Sequence, residues 1–377
     1  MALRAVAEVN LAAIERNAAR VRERTGHHTR LCAVVKADGY GHGAVPVAQA
    51  VLRGGATALA VATATEAAEL HQAGFAVPIL VLGALSDEEL PTAIAAGAEL
   101  TVWDPSTVER VRAAAQLARV PVGVHVKLDT GLGRLGTRSV EEALATVHAV
   151  LAAAPGLRLA GVMTHFATAD GDLGFAAQQL DRFRPFVAEA RALATTDITV
   201  HAANSAAVLR LPASHFDMVR VGIALYGGDP MHEDPARHGL EPALALRTYV
   251  AAVKPILPGE SAGYGRRFVA EAPGLIATLP IGYGDGVVRG LADHGEVLIA
   301  GRRLPVRGTV SMDNITVALG ADSTVTRGQP VTLIGTDGTE RQTAEDLARR
   351  IGTIGYEVLC GISRRVPRRY HYDGRPL

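Results

Sequence analysis

Through roughly the first 230 residues, short runs of β-branched and aliphatic residues alternate with longer stretches in which Ala and Leu recur at three- and four-residue spacing among Glu, Arg and Gln. The short runs predict strands at Leu31–Lys36, Ala58–Thr63, Pro78–Gly83, Glu99–Asp104, Gly123–Asp129, Leu157–His165, Ile198–Ala203 and Met218–Ile223. The longer stretches predict helices at Leu11–Arg24, Val45–Arg53, Thr65–Gln72, Glu88–Ala96, Pro105–Ala118, Val140–Ala153 and Ala176–Leu193. Local start signals agree: Ser86 stands three residues before Glu89, and Asp104 precedes Pro105 at a first helical position. Eight such strands alternating with helices predict a (β/α)8 TIM-type barrel. An open doubly wound sheet is the alternative, but no reversal point is visible and closure suits eight units better.

After about residue 230 the texture changes. Gly228–Gly239 is rich in Gly, Pro, Asp and His and reads as a linker. Strand-like runs follow at Ala243–Val253, Leu275–Pro280, Glu296–Ile299, Ile315–Leu319 and Pro330–Ile334, interrupted by one clear helix, Thr343–Arg350, with Thr343 and Asp346 as a capping pair. The predicted fold class is therefore α/β: a barrel over residues 10–230, then a mainly β domain over 231–377. Residues 1–9, strand-like at Arg4–Val9, join the second domain.

A barrel turns every strand's C-terminal end to one face, which would gather Lys36, Asp129, His165, Asn204 and Arg220. Lys36 closes an apolar run and is followed by Ala37-Asp38-Gly39-Tyr40-Gly41-His42-Gly43, which reads as a tight, exposed turn. At the rim of a core the ammonium is disfavoured, so more of the amine is neutral and able to attack an aldehyde carbon. Lys36 is thus a Schiff-base candidate; a surface lysine closing a strand is the plain alternative.

Composition narrows the classes. With 377 residues, 48% of them hydrophobic, the chain can bury a core for two domains. Lys plus Arg balances Asp plus Glu at 38 each, which argues against a nucleic-acid surface or a polybasic membrane patch and favours small molecules or copies of the chain itself as partners. Cys32 and Cys360 are the only cysteines, so neither a disulfide framework nor a zinc cluster is expected, and the histidines show no paired ligand spacing, so no metal site is. Met1–Asn10 lacks a basic region followed by a long apolar stretch, and no apolar run reaches the ~18 residues that span a bilayer; a cytoplasmic protein is expected.

Ordered motifs then coincide along the chain: Ala33-Val34-Val35-Lys36-Ala37-Asp38-Gly39-Tyr40-Gly41-His42-Gly43, Lys127-Leu128-Asp129-Thr130-Gly131-Leu132-Gly133-Arg134-Leu135-Gly136, Thr164-His165-Phe166-Ala167, His201-Ala202-Ala203-Asn204-Ser205, Val219-Arg220-Val221-Gly222-Ile223, Gly263-Tyr264-Gly265, Ser311-Met312-Asp313 and Gly355-Tyr356-Glu357. As a set, over essentially the whole chain, they closely resemble alanine racemase, a pyridoxal 5'-phosphate-dependent family with a barrel and a β domain.

That resemblance implies a homodimer with shared active sites, acting on a small amino acid and supplying D-alanine for peptidoglycan. Lys36 would hold the cofactor and serve as base for the D-enantiomer; Tyr264, from the partner subunit, would serve the opposite face. A phenol with a pKa near ~10 needs help at neutral pH, for which His165 and Arg220 are the candidates. Arg220 matches the arginine that faces the pyridine nitrogen. Ser205, the amides of Gly222 and Ile223, Tyr40 and Tyr356 match the phosphate donors, and Asn204 is expected to orient His165 or a neighbouring loop. Arg134 and the Met312 amide match substrate-carboxylate contacts, Arg134 also approaching the cofactor hydroxyl. Lys127 aligns with a lysine that some relatives carry as a carbamate. Tyr283, Asp285 and Arg289 match the access corridor.

Read without the resemblance, Tyr264 is a packing tyrosine in a Gly-rich turn, Arg220 pairs with Asp217 or Asp285, Ser205 caps a helix over Ala206–Leu211, and Lys127 is a plain strand lysine beside Asp129. Gly263, Gly284 and Ser311 stand where serine, alanine and cysteine are frequent in the family, which bears on pocket width. The competing functions are a serine or broad-specificity racemase, a barrel-type decarboxylase, whose relatives place an acid at the pyridine nitrogen, a non-catalytic cofactor-carrying barrel, whose relatives lack the β domain, and a metal-dependent barrel hydrolase.

Overall fold

The computed structural model describes residues 3–377, so the first two residues assigned above to the N-terminal strand lie outside the described residues. Two compact units emerge: residues 14–39 with 44–225, and the described residues up to Ala13 with 40–43 and 226–377.

In chain order, β1 (Val6–Asn10) is followed by eight strands of the first unit: β2 (Arg30–Val34), β3 (Ala58–Val61), β4 (Ile79–Val81), β5 (Glu99–Val102), β6 (Val122–Lys127), β7 (Leu157–Met163), β8 (Thr199–His201) and β9 (Met218–Val221). Each pairs in parallel with the next, and β9 returns to β2, closing the barrel. The strands read as apolar runs because both faces are covered: Leu59, Val61, Val102, Val124, Val126, Val162 and Val219 are all buried. The predicted strands all form, each ending two residues before the predicted run does. Those trailing residues become the loops at the C-terminal face.

Helix 105–118 starts as its sequence signals, with the Asp104 carboxylate accepting the Thr107 N–H at 2.7 Å and Thr107 capping back. The Ser86 signal does less: the Ser86 N–H donates to Glu89, and the helix begins only at Leu90, without a side-chain cap.

In the second unit the principal sheet combines β1 with β10 (Leu244–Tyr249), β15 (Glu296–Ile299), β16 (Arg302–Pro305), β18 (Pro330–Asp337), β20 (Arg368–Tyr372) and β21 (Arg375–Pro376), with β19 (Glu340–Gln342) paired to β18. A three-stranded sheet is made by β11 (Ala252–Ile256), β14 (Gly274–Leu279) and β17 (Ile315–Gly320), and a two-stranded ribbon by β12 (Ser261–Ala262) and β13 (Phe268–Val269). β1 lies between β10 and β20, antiparallel to one and parallel to the other, so both ends of the chain share a sheet.

Three expectations are corrected here. The run Ala243–Val253 is two strands, because the chain leaves the principal sheet at Val250–Ala251 to enter the three-stranded one. The linker is not loose: Gly228, Asp229 and Pro230 are buried, and the Asp229 N–H donates to Glu345 at the start of helix 344–351. That helix has the predicted Thr343/Asp346 capping box, but a second one, Gly355–Cys360, follows it. Its apolar run is too short for periodicity to announce it.

Candidate active site

Two residues past β2, the chain enters a left-handed turn: Ala37, Asp38 and Gly39 have φ of 52°, 53° and 59°. Each non-glycine residue there costs about 1–2 kcal/mol relative to a right-handed conformation, so the turn persists only because it is held. The Gly39 N–H donates to the Val35 carbonyl at 2.9 Å, Glu66 accepts the Ala37 N–H at 2.6 Å, and Asp38 accepts the Ala44 N–H at 2.9 Å. Glu66 is itself fixed by the capping box of helix 64–72. The turn therefore fixes where half-buried Lys36 leaves the strand.

The expected exposed turn is a correction: residues 39–43 are buried. Tyr40 stacks on Tyr226 with ring centroids 4.8 Å apart and lies 6.1 Å from the Tyr356 ring, all within the β-rich unit. Burial pushes the Tyr40 phenol well above its usual range, keeping it a neutral hydroxyl. Gly43 has a φ of 97°, and any Cβ there would overlap the Tyr370 hydroxyl.

Within the barrel unit the residues singled out by the sequence sit on the C-terminal ends of their strands. Lys127 closes β6, His165 follows β7, Asn204 and Ser205 follow β8, Arg220 lies in β9, and Gly222 and Ile223 follow it. Arg220 is buried and organises the centre. Its Nη2 donates to His165 Nδ1 at 3.0 Å and to the Thr164 and Ala202 carbonyls at 2.8 and 3.2 Å; its Nη1 donates to His201 Nδ1 at 2.8 Å. Every one of these acceptors is neutral, and burial lowers the guanidinium pKa to about 10. The alternative pairing with Asp217 or Asp285 does not occur: Asp217 takes Arg191 at 2.8 Å, and Asp285 takes Arg4 at 2.6 Å.

Lys127 is buried and shifted down to about 8, first by burial and then by the fields of Arg220 and Arg134. His165 is held well below the usual histidine range by burial and then by Arg220, Lys127, Arg134 and Lys36. The centre is thus strongly electropositive and keeps His165 neutral. Because arginine can only donate, Nδ1 of His165 is the acceptor and its Nε2 carries the hydrogen.

Asp129 does not pair with Lys127 by hydrogen bond. Burial pushes its carboxyl pKa up, but the amides of Gly133, Gly131 and Leu132, at 2.8–3.1 Å, outweigh that and hold it below the usual carboxylate range. Asp129 thereby shapes the loop that presents exposed Arg134. Asn204 also departs from expectation. It caps helix 205–210 by accepting the Ala207 N–H at 3.0 Å and makes no bond to His165. Ser205 is therefore not the cap; its Oγ accepts the Gly222 N–H at 3.1 Å and the Ala224 N–H at 3.4 Å, joining the loops after β8 and β9.

In the β-rich unit, Tyr264 is 75% and Met312 50% exposed. Gly263 has a φ of 77°, in the region that favours glycine. Tyr283 and Arg289 are exposed, whereas Asp285 is buried and consumed by Arg4, Arg365 and the Gly282 N–H. His125, His201, Glu99 and Gln179 carry contacts the sequence reading missed. Gln179 accepts the Ala167 N–H at 2.9 Å and donates to the His165 carbonyl at 3.3 Å, fixing the loop after β7. The available signal was a polar residue inside an apolar run, as in Val124-His125-Val126.

A closed parallel barrel that carries Lys36 just before a held left-handed turn, with a buried Arg220 bonded to no carboxylate, has the C-terminal face of a barrel enzyme. Comparisons with known proteins specify it. The family description "Alanine racemase, N-terminal domain" matches residues 9–230, and "Alanine racemase, C-terminal domain" matches 243–370. The chain is 40% identical to an alanine racemase of Syntrophobacter fumaroxidans over 97% of its length and 96% of that protein's, and 41% identical to alanine racemase 1 of Bacillus subtilis over 98% and 93%. Among solved structures, that of alanine racemase from Bacillus anthracis with bound L-Ala-P has a TM-score of 0.92 at 37% identity, covering 100% of this chain and 97% of that one. The chain belongs to the alanine racemase family.

Proposed function

We propose that the protein interconverts L-alanine and D-alanine using pyridoxal 5'-phosphate, with two bases on opposite faces of the substrate. The observation that carries this reading is Arg220: a buried guanidinium bonded only to neutral acceptors and held against His165. A decarboxylase would place an acid there instead.

The donor set of the barrel mouth suits the cofactor's chemistry. Lys36 would bind its aldehyde, Arg220 would answer its pyridine nitrogen, and the Ser205 hydroxyl with the Ile223 amide would hold its phosphate, in loops of the kind where barrels often bind phosphate; the Gly222 amide, which donates to Ser205 Oγ, would join them only by giving up that bond. When bound, pyridoxal phosphate supplies an electron sink that makes the substrate's Cα–H acidic. Guanidinium does not protonate a ring nitrogen, so Arg220 keeps that sink weak and favours reprotonation over side reactions.

Lys36 Nζ takes or returns the α-proton on one face. The Tyr264 phenol, supplied by the partner subunit, does so on the other, and the Nε2–H of neutral His165 stabilises its phenolate form. Arg134, with the partner subunit's Met312 amide, holds the substrate carboxylate. The exposure of Tyr264 and Met312 supports a role outside their own chain. Lys127, with its pKa lowered to about 8, offers a fraction of the neutral amine that carbamate formation requires.

The test is incubation with L-alanine in deuterated water, following D-alanine formation and Cα deuteration. Lys36→Ala is expected to abolish both, and Tyr264→Phe to lower exchange on one face far more than on the other. Racemisation retained in Lys36→Ala overturns the mechanism. Specific activity that stays flat through dimer dissociation on dilution overturns the shared site.

A further inference from the structure

A continuous line of hydrogen bonds crosses the inside of the barrel away from the mouth. Arg220 Nη1 meets His201 Nδ1 at 2.8 Å, His201 Nε2 meets His125 Nδ1 at 2.8 Å, and His125 Nε2 meets the Glu99 carboxylate at 2.9 Å. These residues come from β9, β8, β6 and β5; Glu99 is the first residue of its strand, so the line ends at the N-terminal face. There Glu99, His125 and Arg158 line a cavity of about 850 Å³, and Arg158 donates to Glu99 at 2.7 Å.

The direction of the line is fixed at one end by chemistry. Arginine has no acceptor, so His201 Nδ1 must accept and its hydrogen must sit on Nε2. His125 Nδ1 then accepts, its hydrogen sits on Nε2, and a carboxylate is the required terminus. Against the upward push of burial, the bonds from His125 and Arg158 pull Glu99 down to about 2, so the terminus is ionised.

The backbone makes room for this arrangement. His125 and His201 are on strands separated by β7, where Gly161, in register with His125, leaves the space open: a Cβ there would lie 2.6 Å from His125 Nδ1 and 2.3 Å from the Thr199 carbonyl oxygen. His125 and His201 are buried.

We propose that His201 and His125 are positioning residues for the reaction, a one-way relay that ties the Arg220 guanidinium to its counter-charge, Glu99, at the opposite mouth of the barrel. Reversing His201 would set an N–H against the Arg220 N–H and push the guanidinium out of place, and reversing His125 would set one against the Nε2–H that this orientation of His201 requires.

Leu and Asn are nearly isosteric, so the test compares His125→Leu with His125→Asn in the full-length holoenzyme. Asn keeps an acceptor near the Nδ1 position; Leu removes it but fills an apolar interior better. The proposal rests on the racemase reading for its kinetic arm. His125→Asn is expected to keep kcat within about threefold, and His125→Leu to lower it by about tenfold or more with KM for alanine little changed. If His125 merely fills space, the Leu variant is the better enzyme, and that order overturns the relay. Long-range 1H–15N spectra of histidine-labelled wild-type protein give an arm independent of activity and of variant folding. Hydrogen on Nε2 of both His125 and His201 supports the relay, and hydrogen on Nδ1 of either overturns it. Should the wild type show no racemisation, the functional reading falls and the spectra still decide the relay.

Discussion

Arg220 Nη2 donates to His165 Nδ1 over 3.0 Å, which leaves the histidine neutral with its Nε2–H directed elsewhere. One contact thus links the group assigned to the ring nitrogen with the group assigned to the second base. Replacing Arg220 by Glu severs it and places an acid at the ring nitrogen. Racemisation is expected to fall by about a hundredfold or more, while pyruvate released by side reaction rises per turnover. Unchanged partition between racemisation and pyruvate, measured by coupled assay, contradicts the role given to Arg220.

The neutral histidines also set a pH dependence of stability. His165 and His201 are held well below their unfolded value of 6.5, first by burial and then by neighbouring cations. Over the window from about pH 6.5 down to their folded values, the unfolded chain takes up protons that the folded chain does not, so stability falls as pH falls. Urea unfolding at fixed protein concentration is expected to show the midpoint dropping from pH 7.5 to 5. A flat profile would show that these histidines protonate in the folded protein.

Asp129 accepts amide hydrogens from Gly131, Leu132 and Gly133. Asp129→Ala leaves those donors unpaired, with an expected loss of about 1–3 kcal/mol in stability and a raised KM through Arg134. Asp129→Asn, which keeps one oxygen, should lose less. Equal KM values across wild type and both variants would detach Arg134 placement from Asp129.

With a pKa of about 8, Lys127 has an appreciable neutral fraction near neutrality. Enzyme freed of carbon dioxide is expected to gain activity on adding bicarbonate, and Lys127→Ala to lose that response. Native mass spectra that show no added carboxyl group in bicarbonate-treated enzyme rule out the carbamate.

The strands of the barrel were legible because parallel strands covered on both faces must be apolar throughout, and Glu296–Ile299 of the second unit was legible for a similar reason, its Val297–Ile299 segment being buried. The Thr343/Asp346 cap was legible because a capping box is local. Arg220 could be placed near His165 as soon as a barrel was inferred, since strand ends converge.

What sequence could not show was which group each polar residue answers to. The left-handed turn after Lys36 is held by Glu66, twenty-nine residues on in sequence, and local pattern reads only local partners. Tyr40 looks like part of an exposed loop until Tyr226 of its own unit stacks on it, with the Tyr356 ring close by. Asn204, not Ser205, takes the cap because Ser205 is drawn to the Gly222 amide. His125 and His201 meet across a strand whose glycine removes the obstacle, a relation defined by register and not by spacing. The sequence by itself determined the barrel, the order of the strand ends and the residue types gathered there, because periodicity and burial are encoded locally. The tertiary structure alone decided the hydrogen-bond directions, and through them which groups are charged, which are neutral and which way each proton points.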